Sequence, residues 1–399
     1  METGPTECGV SDVYIACLHD VHGWGGSISA ADGLAHACSQ RGLGTLTLGV
    51  SSARDLPPTV GQPTRCNVHI QPAAGTWRVR HWRLAGLLAR QLRRMPPPRV
   101  AFLSNSAFWT IAARRAWRHV PVIYRFPCLL SHCLPFTWPG ARPPSFWTRV
   151  NFAATHRAEH LAFNLADRIL VATAENYAEV LDFHPAAEQR LHQTRFGCRR
   201  FEVSDNQRVA AQTTLGLDQH AFLVAAIGVC DLNKAFERAI TQWPAVHARG
   251  HLVIVGDGPR HRHLTQLAQR MNVVDRVHLV GSQRDIGPWY AAADCVVSTS
   301  SYDAFPNTIR EAMAHGRPVI VPRNDPPRVY AGIAGLINRE GGGLLYDLFE
   351  PNALATNINQ LIASPSLTAD LGAQALAVAA RTFDWNPCVD ELLDCGAGS

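Results

Sequence analysis

The segment from Ser298 to Pro322, STSSYDAFPNTIREAMAHGRPVIVP, decides how the rest of the chain is read. Val296 and Val297 close an apolar run, and the polar residues Ser298 to Tyr302 mark the end of a strand. Asp303-Ala304-Phe305-Pro306-Asn307 make the turn, and Pro306, with no N–H to lose, suits the first positions of a helix. Ile309, Ala312 and Met313 recur at helical spacing, Gly316 ends the helix, and Pro318-Val-Ile-Val starts a second strand. Two carboxylates flank the turn: Asp303 precedes the helix and Glu311 lies two turns into it. Between them lie the backbone N–H groups of a helix start, which favour anions. Acid, anion site, acid suits a sugar–diphosphate–nucleoside, because carboxylates accept from hydroxyls and N–H groups hold phosphate. The same text also fits a plain strand-loop-helix unit with two incidental surface acids.

The wording resembles the signature of retaining glycosyltransferase family 4 (glycosyl transferases group 1), E-G-F-P-x-x-x-x-E-A-x-A-x-G-x-P-V-I. Here it stands as Asp303-Ala-Phe305-Pro306-Asn-Thr-Ile-Arg-Glu311-Ala-Met-Ala-His-Gly316-Arg-Pro318-Val-Ile, with the spacing of the two acids kept. The first Glu has become Asp and the following Gly has become Ala304. The resemblance implies an α/β protein of the GT-B fold, two Rossmann-like parallel-sheet domains facing across a cleft.

Size and composition agree with that scale. The 399 residues suffice for two domains, and 47% hydrophobic with 17% charged residues describes a globular chain with a large core. No apolar run reaches the roughly 18 residues of a membrane-spanning helix. The apolar run from Val13 to Leu18 is too short for a signal peptide. Eleven cysteines without paired spacing read as reduced thiols, so a cytoplasmic setting is expected, with the inner face of a membrane as an option. From Leu56 to Ala158 there is no Asp or Glu, yet that segment carries fifteen Arg. Such a basic stretch suggests an anionic partner: a phosphorylated or lipid-linked acceptor, or an acidic lipid surface. No nucleic-acid-binding module is recognisable, and no nucleic-acid partner is expected.

Taken in order, residues 1–196 are expected as an N-terminal acceptor-binding domain. Its strands are expected near Val13–Leu18, Thr45–Val50, Val100–Leu103, Val120–Tyr124, Ile169–Ala172 and Leu191–Phe196, with a short one at Asn67–Ile70. After the first strand comes His19-Asp20-Val-His22-Gly23-Trp24-Gly25-Gly26 and a helix. Glycines there let the backbone approach a ligand. In the resembled family a Gly-Gly loop at this place faces the active site, which implies donor contact for Gly25 and Gly26 and a catalytic place for His22. The stretch from Trp77 to Met95 is a basic amphipathic helix, either packed on the sheet or lying on a membrane. A loop rich in Pro and aromatics from Leu129 to Trp147 is an acceptor lid, a membrane-dipping element or a long ordered insertion. His156-Arg-Ala-Glu159-His160 matches a zinc-peptidase pattern, but no third ligand suggests itself and no metal is expected.

Residues 197–216 are polar and expected as a linker. Residues 217–382 are expected as a nucleotide-sugar-binding domain with six parallel strands alternating with helices. Residues 383–399 are a terminal segment that in the resembled fold crosses back to the N-terminal domain.

Lys234 is the only lysine in the chain. The family reads G-R-L-x-x-x-K-G here, with Arg and Lys gripping the donor diphosphate. This chain reads Gly228-Val229-Cys230-Asp231-Leu-Asn-Lys234-Ala235, so the Lys is kept while Val229 replaces the Arg and Ala235 the last Gly. Val253-Ile-Val-Gly256-Asp-Gly258-Pro259 is a strand, a Gly-rich turn and a helix start, similar to the family's G-x-G-P at the donor site. The segment Val280-Gly281-Ser-Gln-Arg284 falls where the family holds the base. The chief departure is Val122-Ile-Tyr124-Arg125-Phe126-Pro127, where Pro127 stands in place of the family's His. His19, His22 or Arg125 are the candidates to replace it.

The expectation is a retaining, metal-independent glycosyltransferase without a cofactor, working in glycan biosynthesis, with a nucleotide-diphosphate sugar as donor. Asp303 and Lys234, with His22, form the expected catalytic set. Gly25, Gly26, Lys234, Gly256, Gly258, Asp303, Phe305, Pro306, Asn307 and Glu311 form the expected donor site. The alternative is a sugar-nucleotide-binding or regulatory protein of the same fold with little catalysis, and a small natural product in place of a glycan is the other acceptor left open. A nicotinamide-dependent oxidoreductase is disfavoured, because neither Gly-rich turn carries the rest of that fingerprint.

Overall fold

The computed structural model describes residues 11–17, 26–51, 65–69, 80–129, 146–218, 220–326 and 328–397. They fall into two compact units. One comprises the residues up to 129, 146–197 and 384–397; the other comprises 198–383.

The first unit is built on a seven-stranded parallel sheet. Its strands are β1 (Val13–Ala16), β2 (Thr45–Ser51), β3 (Arg65–His69), β4 (Ala101–Ser104), β5 (Val122–Arg125), β6 (Arg168–Val171) and β7 (Leu191–Gln193), in the spatial order β3-β2-β1-β4-β5-β6-β7. Strands β1, β4 and β5 are buried along their whole length, which explains their unbroken apolar runs: a parallel sheet covered on both faces has no solvent side. The helices are α1 (Gly26–Gln40), α2 (Arg80–Leu92), α3 (Ala107–Ala116), α4 (Phe146–Leu165) and α5 (Ala174–Phe183). Ala85, Leu88, Ala89 and Leu92 of α2 lie in the core with Trp109 and Phe102. These four residues of the basic helix therefore pack on its own domain.

The second unit opens with α6 (Asp205–Thr214), inside the stretch that composition suggested as a linker. A capping box starts it: the Ser204 side chain accepts from the Gln207 N–H, and the Gln207 side chain accepts from the Ser204 N–H. A six-stranded parallel sheet follows, with β8 (Phe222–Ile227), β9 (Gly250–Val255), β10 (Val277–Gly281), β11 (Cys295–Val297), β13 (Val319–Pro322) and β15 (Gly343–Tyr346) in the order β10-β9-β8-β11-β13-β15. Between β11 and β15 a separate parallel pair forms from β12 (Tyr302–Asp303) and β14 (Tyr330–Ala331). The helices are α7 (Glu237–Gln242), α8 (His261–Arg270), α9 (Gly287–Ala292), α10 (Asn307–Ala314), α11 (Ala334–Glu340), α12 (Ala353–Ala363) and α13 (Pro365–Thr382). In both sheets the strand order reverses beside the first strand of the unit, the arrangement of dinucleotide-binding folds.

The last helix, α14 (Asn386–Ala397), belongs to the first unit. Arg168 Nη1 pairs with Glu391 Oε2 at 2.5 Å and Arg41 Nη2 with Asp390 Oδ1 at 2.8 Å. Trp385, just before α14, presses its indole against Gly33 of α1 and against Gly197. A Cβ at either glycine would stand 2.5 Å or less from the indole nitrogen. Among the described residues no single helix is long and apolar enough to cross a membrane, and the cysteines carry no disulfide.

Candidate functional site

The C-terminal ends of β8 and β11 bring together residues far apart in sequence. Lys234 follows β8 and Asp303 lies in β12 after β11; Lys234 Nζ donates to Asp303 Oδ2 at 2.6 Å. Both side chains are partly buried, which strengthens the attraction over that of a surface pair. Each partner is fixed from behind. The Lys234 N–H donates to Asp231 Oδ1, and Thr299 Oγ1 donates to the Lys234 carbonyl at 2.6 Å. The Lys234 stem runs across Gly228, where a Cβ would meet Cε at 3.3 Å. On the other side Tyr330 N–H donates to the Ser301 carbonyl and Gly332 N–H to the Asp303 carbonyl, so the β12–β14 pair clamps the loop that carries the acid.

Helix α10 starts at Asn307 with Pro306 as its N-cap, one position earlier than the helical place the sequence suggests for Pro306, and no side chain caps it. It ends in a Schellman motif: Gly316 has φ +67°, its N–H donates to Met313 O, and the Arg317 N–H donates to Ala312 O. The Phe305 ring lies 4.5 Å from the Arg310 guanidinium and edge-on to Phe383, and Asn307 Oδ1 accepts from Arg310. These two side chains therefore brace a buried arginine that no sequence motif marks. Glu311 is 3% exposed, and its Oε2 accepts from the Tyr290 hydroxyl at 2.8 Å. Burial raises the Tyr290 phenol pKa and the Glu311 carboxylate raises it further. The Tyr290 ring stacks on His315, whose Nδ1 meets the Glu311 carbonyl at 2.6 Å. Tyr290, Arg310 and His315 were not legible in the sequence, because Tyr290 of α9 meets Glu311 and His315, and Arg310 meets Phe383, only in the folded unit.

The Gly-rich turn after β9 rests on the loop after β8. Gly256 has φ +148° and a Cβ there would come within 1.9 Å of the Gly228 carbonyl oxygen; one at Gly258, φ +156°, would come within 2.6 Å of the Cys230 carbonyl oxygen. Both glycines are thus required by backbone contact alone, apart from any ligand. Burial pushes the Cys230 thiol up to about 12, which makes it inert at neutral pH. Val229, in place of the resembled family's Arg, is 54% exposed. Ala235, in place of its Gly, has φ +47°.

In the first unit, Gly26 opens α1, whereas His19, His22 and Gly25 lie outside the described residues, as does most of the loop after Leu129. Arg125 ends β5 and is 8% exposed. The His-x-x-Glu-His pattern splits across α4. Glu159 is buried in the core, while His160 Nδ1 meets His184 Nδ1 at 2.9 Å and His184 Nε2 meets Asn164 Oδ1. Among the described residues no group of His, Cys, Asp and Glu could hold a metal ion.

Residues 221–364 match the family described as Glycosyl transferases group 1. A D-inositol 3-phosphate glycosyltransferase of Mycolicibacterium gilvum is 31% identical over 242 residues, 57% of this chain and 51% of that protein. The lipopolysaccharide core biosynthesis glycosyltransferase LpsE of Rhizobium meliloti is 30% identical over 192 residues, 47% of this chain and 53% of that protein. The matched stretches thus span about half the length of these relatives. Among solved structures, Anabaena HepE in complex with UDP and glucose superimposes with a TM-score of 0.72, at 19% identity, covering 96% of this chain and 99% of that one. Sucrose-phosphate synthase from Thermosynechococcus elongatus does so with a TM-score of 0.76, at 19% identity, covering 96% and 97%. The fold is GT-B, and residues 221–364 carry a group 1 glycosyl transferase domain.

Proposed function

We propose that the protein is a retaining glycosyltransferase of family 4 that takes a nucleotide-diphosphate sugar as donor and a phosphorylated or lipid-linked acceptor. The observation that carries this reading is the contact of Lys234 with Asp303 at the ends of β8 and β11, in front of an α10 start that no side chain caps. One cation, one acid and a helix start are the groups that a sugar diphosphate engages. Lys234 and the backbone N–H groups near Phe305 to Asn307 would stabilise the charge that develops on the leaving diphosphate. Asp303 would accept hydrogen bonds from the sugar hydroxyls and orient the ring. Glu311, its carboxylate already held by Tyr290, would accept from the ribose hydroxyls. Transfer with retention by front-face attack needs no protein nucleophile. The relatives named as glycosyltransferases and the HepE complex with UDP and glucose support the choice of donor class. The acid-free, Arg-rich segment from Leu56 to Ala158 supports an anionic acceptor.

Calorimetric titration with UDP and UDP-glucose tests this directly, followed by a transfer assay. Heat of binding by wild type that is lost in Asp303→Ala for the sugar nucleotide supports the reading. No binding of any nucleotide sugar, by wild type and variant alike, would overturn it.

A second reading, a sugar-nucleotide-binding regulator with little turnover, rests on Val229 and Pro127 standing where the family carries Arg and His. Tight donor binding without transfer or donor hydrolysis would favour it.

A further inference from the structure

The loop after β11, which leads to Asp303, is held by donors from other elements of the second unit. The Tyr346 hydroxyl of β15 donates to the Ser298 carbonyl at 2.8 Å, and Arg238 Nη1 of α7 donates to the Thr299 carbonyl at 2.7 Å. The Tyr330 N–H of β14 and the Gly332 N–H just beyond it take the carbonyls of Ser301 and Asp303. Arg238 is the charged member of this set and is 5% exposed. A charged donor holds a buried carbonyl more firmly than a neutral one does.

Thr299 ties that loop to the cation. While Arg238 takes its carbonyl, its buried hydroxyl donates to the Lys234 carbonyl at 2.6 Å. The peptide from Lys234 to Ala235 is thus held on both edges, because the Ala235 N–H donates to the Asp231 carbonyl. Ala235 has φ +47°, a conformation that a Cβ disfavours and that persists where neighbours enforce it. The Thr299 hydroxyl enforces it by fixing the plane of the peptide that enters Ala235. A lysine ammonium ends a flexible stem, so its reach depends on how its backbone is held. With Val229 in place of a second cation, Lys234 is the one cation in the sequence of residues 228–235.

We infer that Thr299 and Arg238 are positioning residues that aim Lys234 at the diphosphate of the donor: Arg238 fixes Thr299, and Thr299 fixes the peptide after Lys234. The inference rests on the donor-site reading above. Holding the lysine backbone before the ligand arrives lowers the ordering cost of binding. A clamp that serves only the fold would act on the ligand with or without Lys234. A clamp that works through Lys234 loses its effect on the ligand once that side chain is gone.

The test is a double-mutant cycle in the full chain, with calorimetric binding of UDP, or of GDP or ADP should one of them bind instead. Thr299→Val is isosteric and removes the hydroxyl; Thr299→Ser keeps it. Thr299→Val is expected to bind the diphosphate about tenfold more weakly than wild type, and Thr299→Ser within about threefold of it. On a Lys234→Met background Thr299→Val should change affinity by less than about twofold. Should Thr299→Val fail to fold, Arg238→Lys takes its place in the cycle, because it keeps the buried charge and loses the fork. Should Lys234→Met bind too weakly to measure, recovery of affinity in Thr299→Ser over Thr299→Val decides. Equal affinity in wild type and Thr299→Val, with Lys234→Met weaker, overturns the inference and leaves the donor reading standing. A loss that persists in full without Lys234 overturns it too. No diphosphate binding by wild type removes the donor reading and the inference with it.

Discussion

Lys234 Nζ and Asp303 Oδ2 stand 2.6 Å apart although 69 residues separate them in the chain. The only lysine is thus neutralised by the acid that the donor site would use for sugar hydroxyls, and a diphosphate arriving there has to compete with that acid. Asp303→Asn is expected to raise affinity for UDP by roughly tenfold, the scale of one partly screened charge pair. The same change should lower transfer from UDP-glucose by at least about tenfold, because orientation of the ring is lost. Lys234→Met should weaken both ligands. Calorimetry with each ligand checks this, and equal losses of UDP affinity in both variants would contradict the competition.

Ala235 holds φ +47°, a left-handed conformation that a Cβ disfavours. Ala235→Gly is expected to stabilise the second unit by about 1 kcal/mol, measured as a shift in its denaturant midpoint. Its exposure of only 3% means that a larger residue there should destabilise instead.

Gly256 lies against the Gly228 carbonyl so closely that no side chain fits. Gly256→Ala should cost about 3 kcal/mol or more, through overpacking and an unfavourable φ together. Gly216, with φ +67° and open space around its Cα, is the comparison: its Ala variant carries the strain without the clash and should lose less. Equal losses would show that backbone conformation alone makes the glycine necessary.

Two histidine pairs make stability sensitive to acid. His251 Nδ1 lies 3.2 Å from His278 Nε2, and His160 Nδ1 lies 2.9 Å from His184 Nδ1. Burial lowers all four pKa values; positive neighbours lower them further, His251 acting on His278 and both His156 and His184 on His160. The folded values therefore lie below the unfolded one of about 6.5. As pH falls through that value the unfolded chain binds protons first, so stability decreases on acidification and is fully present above it. The denaturant midpoint should hold steady from pH 8 to about 7 and fall below about 6.5. A joint change of His251 and His278 to Gln should flatten part of that fall; an unchanged slope would place the effect elsewhere.

Trp385 anchors the returning C-terminal segment between Gly33 and Gly197. Trp385→Ala is expected to cost the first unit about 3–5 kcal/mol and to expose α14 to limited proteolysis. Gly33→Ala should act in the same direction by pushing the indole out.

The strand-helix alternation and the Asp303 to Pro318 text were legible because they are local. A buried parallel strand must be an apolar run, and a helix ending at Gly316 needs a residue that accepts φ +67°. The capping box that starts α6 was equally local: Ser204 and Gln207 carry its spacing, yet the polar composition around them suggested a linker. What only tertiary structure decided are the relations between distant residues. It closed Lys234 onto Asp303, buried Glu311 under Tyr290, paired β12 with β14, and set Arg125 beside the stacked rings of Phe196 and Trp385. Chain order carries propensity and spacing over a few residues. Charge pairing and burial depend on which strand ends meet, and that is fixed by sheet order rather than by any one segment.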